Sequence, residues 1–299
     1  MKILIAPYSF SNAQIDSGVV LKVVWGAYDI GYADLICHPH LGDLSLQTHI
    51  ESLVKSQPTD LVKRALSFAI IDARARRQGR HLLYGLALPR SHKRVRTVEE
   101  AKLALDLGFS HLKIKMGKDL QADAKLLEEI HLSGPGLKLR LDFNGQLNFV
   151  QFQQWWKSIS VSAKSQVDFI EDAFAGQGHD GADLDAPLAW DWLKPPTTNA
   201  KLYRKIRVIK PSHHSVDDIA PTDRVIFTHS MGHWIGQSAA LWVAARFYQK
   251  YPHQLEVCGL LPTPYLQEWP QRGAHLVPPS GTGFGLDEIM QSQKWERLV

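Results

Sequence analysis

Cysteine is scarce in this sequence. The two residues present, Cys37 and Cys258 among 299, are far apart and each sits in an apolar stretch. That excludes a disulfide framework and a thiolate metal cluster, and it predicts buried free thiols. No run approaches the roughly 18 apolar residues of a membrane span. The apolar opening Met1–Pro7 lacks the h-region and cleavage site of a signal peptide and reads as a first strand. A cytoplasmic chain without a membrane partner is therefore expected. Basic and acidic residues nearly balance, 34 against 30, and no basic face interleaved with stacking aromatics is present, which argues against a nucleic-acid partner. The densest basic cluster, His92 to Arg96, is short and reads as a solvated loop before a helix. With 44% apolar and 21% charged residues, usage is that of an ordinary globular enzyme. The length allows a full barrel plus a smaller domain.

From about Leu82 onward short apolar runs alternate with helix-like segments, the pattern of βα units around a parallel sheet. Leu83–Leu88 reads as the first strand. Thr97-Val98-Glu99-Glu100 then opens a helix with a capping-box pattern that runs to Gly108. Further strands are expected at His111–Met116, Leu137–Asn144, Val167–Asp172, Pro187–Asp191, Ile206–Lys210, Val225–His229 and Leu255–Leu260. Helices fall around Leu120–Ile130, Phe149–Ile159 and Ile235–Tyr248. The Gly- and Asp-rich stretch Gly176–Asp185 is too weakly apolar for a barrel helix. Polar residues recur at strand ends along the chain, which favours a closed barrel with its site at the C-terminal mouth over an open doubly wound sheet. The first ~80 residues differ, with strands at Val19–Val24 and Tyr32–Cys37 before a helix at Asp60–Gln78. The fold class expected is α/β, a modified (β/α) TIM-type barrel with an α+β capping domain. The capping domain spans 1–81, the barrel 82–262, and 263–299 is a C-terminal segment returning to the cap.

Strand alternation puts Lys113 and Lys115 on one face, with Leu112, Ile114 and Met116 on the other. The next strand points Arg140, Asp142 and Asn144 the same way. Glu171, Asp191 and Lys210 close the following strands. These residues succeed one another at intervals of roughly 20–30 residues, about one βα unit, so the barrel should gather them into one ring. Any one charged strand end is more often a surface group than a catalyst; one per unit is hard to explain as packing. Three carboxylates suit Mg²⁺, which prefers hard oxygen ligands and leaves positions for a substrate carboxylate. A lysine whose basicity is lowered by neighbouring cations can then take the weakly acidic α-proton as an enediolate forms. Asp185 is an alternative to Asp191 as third ligand. Asn144, Ser212, His229 and Ser230, at or just beyond strand ends, are candidate substrate contacts. His213-His214 and His38-Pro39-His40 are loop histidines near the same mouth. The spaced glycines of Gly281–Gly285 lack the βαβ frame of a dinucleotide site.

The order Lys-x-Lys, Asp-x-Asn, Glu, Asp, Lys-Pro resembles the enolase superfamily, in the branch holding muconate lactonizing enzyme, dipeptide epimerases and o-succinylbenzoate synthase. Leu139–Asn144, Phe169–Asp172, Leu188–Asp191 and Val208–Ser212 resemble the o-succinylbenzoate synthases in particular. Ser17–Leu21 and Gly31–Leu35 resemble their capping-domain loop and the strand after it. The resemblance implies that Asp142, Glu171 and Asp191 bind Mg²⁺, with Mn²⁺ an acceptable substitute. Lys115 would be the base, Lys113 would assist it, and Lys210 would face it across the site. The implied reaction is syn dehydration of a succinyl-hydroxycyclohexadiene carboxylate to o-succinylbenzoate, a step toward menaquinone. The resemblance leaves an N-succinylamino acid racemase or dipeptide epimerase open, and fold alone leaves open a non-catalytic barrel that binds small carboxylates. Oligomeric state is not legible.

Overall fold

The computed structural model describes residues 1–9, 17–26, 29–175, 184–191, 206–217, 219, 224–253, 257–261 and 271–299. Strands β1 (Lys2–Ser9), β2 (Ser17–Val24) and β3 (Ile30–Cys37) form an antiparallel meander, extended at its outer edge by β15 (Glu296–Arg297) from the C-terminal end. One face packs on helices α1 (Leu46–Val54) and α2 (Asp60–Arg77) through Val19, Leu21, Val23, Leu35, Val62 and Ala65. The other face buries Ala6, Val20 and Tyr32 against Ile235, Ala239, Phe284 and Met290. A strand covered on both sides needs apolar residues without alternation, which is why Val19 to Val24 reads as a nearly continuous run. Helix α2 approaches closest at Gly31, where a Cβ would lie 1.9 Å from the Ala69 carbonyl oxygen.

The barrel begins later than expected. Leu83–Leu88 is a turn: the Leu86 N–H reaches back to the Leu83 carbonyl (3.3 Å) and Gly85 adopts φ +79°. An apolar hexapeptide mimics a strand, but Gly85 reverses the chain and Pro89 has no N–H to give a ladder. The first barrel strand is instead the basic cluster taken for a loop, split into β4 (Arg90–Ser91) and β5 (Lys93–Val95) around His92. Helix α3 (Val98–Asp106) follows, capped by Thr97. Next come β6 (His111–Lys115), α4 (Leu120–Ser133), β7 (Lys138–Asp142), α5 (Phe149–Ser158), the short α6 (Val161–Gln166) and β8 (Val167–Glu171). Then follow β9 (Leu188–Ala189), β10 (Ile206–Ile209), β11 (Arg224–Phe227), α7 (Trp234–Lys250) and β12 (Val257–Cys258). The stretch Gly176–Asp185, too weakly apolar for a barrel helix, falls mostly outside the described residues, as do Trp192 and residues 10–16.

Parallel pairing runs β5–β6–β7–β8–β9 and β10–β11, with β12 against β4. Single bridges from Trp190 to Arg207 and from Thr228 to Gly259 join the remaining neighbours. Among the described residues eight parallel strands therefore close a ring, counting β4 and β5 as one. Ladder partners point the same way. Leu112, Ile114, Leu139, Leu141 and Ile170 face outward onto Phe152, Trp155 and Trp156 of α5 and Leu127 and Ile130 of α4. The lumen has an apolar side built from Phe169, Ala189, Ile206, Val208 and Ile226. Its other side, on β4 to β7, carries His92, Lys113 and Arg140. Helix α7 is buried on two faces, because Ala240, Leu241, Ala244 and Phe247 cover the barrel while Ile235 and Ala239 cover the N-terminal sheet, and Arg246, Gln249 and Lys250 are left to solvent. That shared helix seats the sheet at the barrel's mouth. The tail adds β13 (Gln271–Arg272), β14 (His275–Leu276) and α8 (Asp287–Ser292). Arg76 of α2 donates to Asp72 (2.6 Å), to Asp287 and to the Gly285 carbonyl (2.9 Å). Cys37 and Cys258 are buried and free. No described helix is long and apolar enough to cross a membrane.

Candidate active site

Register brings the charged strand ends together. Lys115 stands opposite Asp142, and Asp142 opposite Glu171. Glu171 is in turn opposite Ala189, two residues before Asp191. Lys113 Nζ lies 2.9 Å from Asp142 Oδ2 and 2.8 Å from Glu171 Oε2, bridging the two carboxylates. Lys210, one residue past β10, is buried and pairs with Asp191 Oδ2. Lys115 is exposed at the rim and donates to Asn144 Oδ1 (2.8 Å). Asn144 Nδ2 donates to Asp142 Oδ1 (2.6 Å). Asn144 takes φ +49°, a left-handed conformation that asparagine tolerates better than most residues and that turns its amide back over the strand end.

The charges shape one another. Burial and the carboxylates of Asp142 and Asp191 push the Glu171 carboxyl up to about 8, against the pull of Lys113. Burial also opposes ionisation of Asp142, but Lys113 and Lys115 outweigh it and hold that carboxyl below its usual range. Lys113 is raised, because Glu171 and Asp142 outweigh its burial. Lys115 is lowered although its side chain reaches solvent: protein around its ammonium strips away part of the water, and the cations of Lys113 and Arg94 add to this against the pull of Asp142. A lysine made less basic, by loss of solvent first and by a neighbouring lysine after it, is shifted in the direction a general base needs.

The residues present fit a divalent cation in their chemistry. Asp142, Glu171 and Asp191 supply hard carboxylate oxygens from successive strands. Asp191 Oδ1 is buried and has no hydrogen-bond partner among the described residues, a lone pair that costs free energy unless a cation or donor meets it. Lysine ammoniums hold the space between the carboxylates, and among the described residues no three ligating groups yet form a finished cage. Asp185 accepts the Trp156 indole N–H through its backbone carbonyl (3.0 Å), at the outer helix layer.

The other candidates lie around the same mouth. Ser212 Oγ and Ser230 Oγ are 2.5 Å apart, and both lie within 3.0 Å of His213 Nδ1. His213 Nε2 meets Asp43 Oδ2 (3.0 Å), and His38 Nε2 donates to the Ser230 carbonyl (2.9 Å), so the loop after β3 is tied to the ends of β10 and β11. His229 spends both ring nitrogens on the backbone: Nε2 donates to the Leu261 carbonyl (3.0 Å) and Nδ1 accepts the Met231 N–H (2.9 Å). Burial, Lys210 and Lys113 lower it to about 4. It is thereby held neutral, with its ring as the surface it can offer.

Two supporting groups escaped sequence reasoning. Asp172, at φ +46°, accepts the Asp191 N–H (3.1 Å) and so fixes the strand end that carries the third carboxylate. Asp168 is the extra residue of a bulge, where pairing steps from Leu139–Val167 to Arg140–Phe169. It binds Arg140 Nε (2.8 Å) and Arg224 (2.6 Å), and Arg140 also meets His92 Nδ1 (2.8 Å) and the Val257 carbonyl (3.1 Å). Arg140, fully buried, floors the site one layer below Asp142. Simple alternation hides Asp168, since a bulge reverses its facing.

Residues 4–75 match the family model for the N-terminal domain of O-succinylbenzoate synthase. A protein named o-succinylbenzoate synthase from Bdellovibrio bacteriovorus is 27% identical over 328 aligned positions, covering 100% of this chain and 99% of that protein. Among solved structures, an N-succinyl Arg/Lys racemase from Bacillus cereus superposes with a TM-score of 0.72 at 13% identity, over 99% of this chain and 98% of that one. A dipeptide epimerase from Enterococcus faecalis, solved with Mg and L-Leu-L-Tyr, superposes with a TM-score of 0.66 at 16% identity, over 95% and 96%. The chain therefore has the barrel-and-cap fold of the enolase superfamily and, along its whole length, resembles o-succinylbenzoate synthase.

Proposed function

We propose that the chain is a Mg²⁺-dependent dehydratase of the o-succinylbenzoate synthase kind, converting the succinyl-hydroxycyclohexadiene carboxylate to o-succinylbenzoate for menaquinone synthesis in the cytoplasm. The observation that carries the proposal is the gathering of Lys113, Lys115, Asp142, Glu171, Asp191 and Lys210 at one end of the lumen, in a chain similar over its full length to a protein of that name. Asp142, Glu171 and Asp191 would hold the ion. When bound it would draw negative charge from the substrate carboxylate, making the adjacent C–H more acidic. Lys115 Nζ takes that proton, and the same ammonium returns it to the departing hydroxyl, so water leaves and the ring becomes aromatic. Lys113 stays charged between its two carboxylates and keeps Lys115 weakly basic. Lys210 adds positive charge on the opposite side of the lumen. Asn144, Ser212, Ser230 and the His229 ring would line the substrate. The proposed boundaries are a cap over 1–81, a barrel domain over 82–262 whose first strand starts only at Arg90, and a returning segment over 263–299.

Lys210, just past the end of β10 and across the barrel from Lys115 on β6, supports a second reading, a two-base racemase or epimerase of N-succinylamino acids or dipeptides. Mixing the protein with Mg²⁺ and the cyclohexadiene substrate, and following the aromatic product by ultraviolet absorbance, tests the first reading. Chelator-sensitive turnover supports it. Absence of turnover, together with solvent-deuterium exchange at an amino-acid α-carbon, would replace it with the second.

A further inference from the structure

The substrate class just proposed carries two carboxylates, and the inference here rests on that proposal. One carboxylate belongs with the ion and Lys115. The second, at the end of the succinyl arm, needs a cation of its own at the mouth. Lys113 is committed to Asp142 and Glu171, and Lys210 to Asp191. Lys115 is committed to the proton.

Among the described residues, Arg94 is the remaining cation on the lumen face beside them. Its ladder partner is Lys113 on β6, about 5 Å away across the sheet. Its neighbour Val95 is buried in the outer core with Ile114, so alternation turns Arg94 into the lumen beside Lys115. Two residues earlier the same face presents His92, which meets Arg140 inside the barrel and confirms the facing. Arg94 is nonetheless exposed, so the lumen is open where it stands, and no carboxylate pairs with it among the described residues. The cleft of about 460 Å³ on the outer flank of Lys115 sets the carboxylates of Glu99, Asp123 and Glu129 against the cations of Arg96 and Lys115, so it presents no excess of positive charge to an anionic arm.

We propose that Arg94 binds the distal carboxylate of the substrate and selects acyl arms that end in an anion. A guanidinium presents two parallel donors to a carboxylate, a geometry that lysine does not reproduce.

The test compares o-succinylbenzoate with 2-butanoylbenzoate, which has the same arm without its carboxylate, by calorimetric titration in the presence of Mg²⁺. The wild-type protein should bind the succinyl compound at least about tenfold more tightly. Arg94→Gln should erase that preference while leaving 2-butanoylbenzoate affinity unchanged, and Arg94→Lys should keep part of it. Equal losses for both ligands, or no loss for either, would overturn the proposal. If the wild-type protein binds neither benzoate, the dehydratase reading has failed rather than this one. The same comparison then runs with N-succinyl- and N-butanoyl-phenylalanine, and a preference unaffected by Arg94→Gln would overturn the assignment there as well.

Discussion

Replacing Glu171 with glutamine should stabilise the metal-free protein while destroying its response to Mg²⁺. In the folded chain the Glu171 carboxyl is pushed up to about 8 from an ordinary value of 4.5, by burial and by Asp142 and Asp191. Between those two pH values the unfolded chain has released this proton and the folded chain has not. The unfolded state binds fewer protons there, so stability falls as pH rises from about 4.5 to about 8 and is level outside that window. At pH 7 the penalty is at most about 3–4 kcal/mol, since each pH unit inside the window costs about 1.36 kcal/mol, and coupling to Lys113 makes it smaller. The isosteric amide removes the titration, and Lys113 keeps Asp142 at 2.9 Å. In chelator, Glu171→Gln should therefore melt higher than wild type at pH 7.5 by several degrees and match it at pH 4.5, a gap of about 2–4 °C per kcal/mol for a chain of this size. Mg²⁺ should raise the wild-type melting temperature by mass action and leave the variant nearly unmoved. Thermal melts at a series of pH values decide the matter. A wild-type curve as flat as the variant's between pH 5 and 8 would refute the electrostatic account, and a full Mg²⁺ response in the variant would remove Glu171 from the ligand set.

Lys115→Ala should cut turnover by about 10²–10⁴, the usual contribution of a general base, with a melting temperature within ~2 °C of wild type, because the side chain is exposed and makes one hydrogen bond; full retained activity would end the proposed mechanism. Asp142→Ala should abolish the Mg²⁺-dependent rise in melting temperature, measured by calorimetry. Arg140→Met should cost about 3–5 kcal/mol in denaturant unfolding, since it removes the buried guanidinium from Asp168 and leaves that carboxylate to the partly exposed Arg224 and to His111, and the added change Asp168→Leu should recover most of that loss. Gly31→Ala should destabilise by ~2–4 kcal/mol, because the new methyl would sit 1.9 Å from the Ala69 carbonyl and must push α2 off the sheet.

Which parts of this molecule were legible in its sequence follows from how local their causes are. Lys113, Asp142 and Glu171 were legible because period-two alternation fixes facing, and parallel register then places each strand end beside the next. The start of α3 was legible because a single side chain, Thr97, makes the cap. Leu83–Leu88 misled because apolar residues also occur in turns that bury only some of them, here Leu83 but not Tyr84, and only Gly85 and Pro89 mark the difference. His92–Arg96 misled in the opposite sense. A strand whose inward face lines a polar lumen carries charges where a core strand would carry valine, so hydrophobicity undercounts the very strands that build a site. Asp168 shows the limit of pattern reasoning. Its facing is set by a bulge against β7, a property of two strands together, and neither strand alone contains it.

The same contrast accounts for where the charges sit. Six ionisable groups crowd one lumen end, yet each is held by a partner from another strand: Lys113 by Asp142 and Glu171, Lys210 by Asp191, Lys115 by Asn144. Beneath them Arg140 and Asp168 form a second paired layer that the chemistry does not touch. Buried pairs contribute little net stability against apolar replacements, so stability alone does not explain two layers of them. The upper layer has a reason in proton transfer and cation binding. The lower layer has one in support, because Arg140 and Asp142 are two residues apart on one face of β7 and a guanidinium fixed at three points holds that face of the strand in place. If that is its role, the Arg140→Met, Asp168→Leu pair that recovers stability should still lower kcat, and a stable double variant with wild-type kcat would show that the floor holds up only the fold.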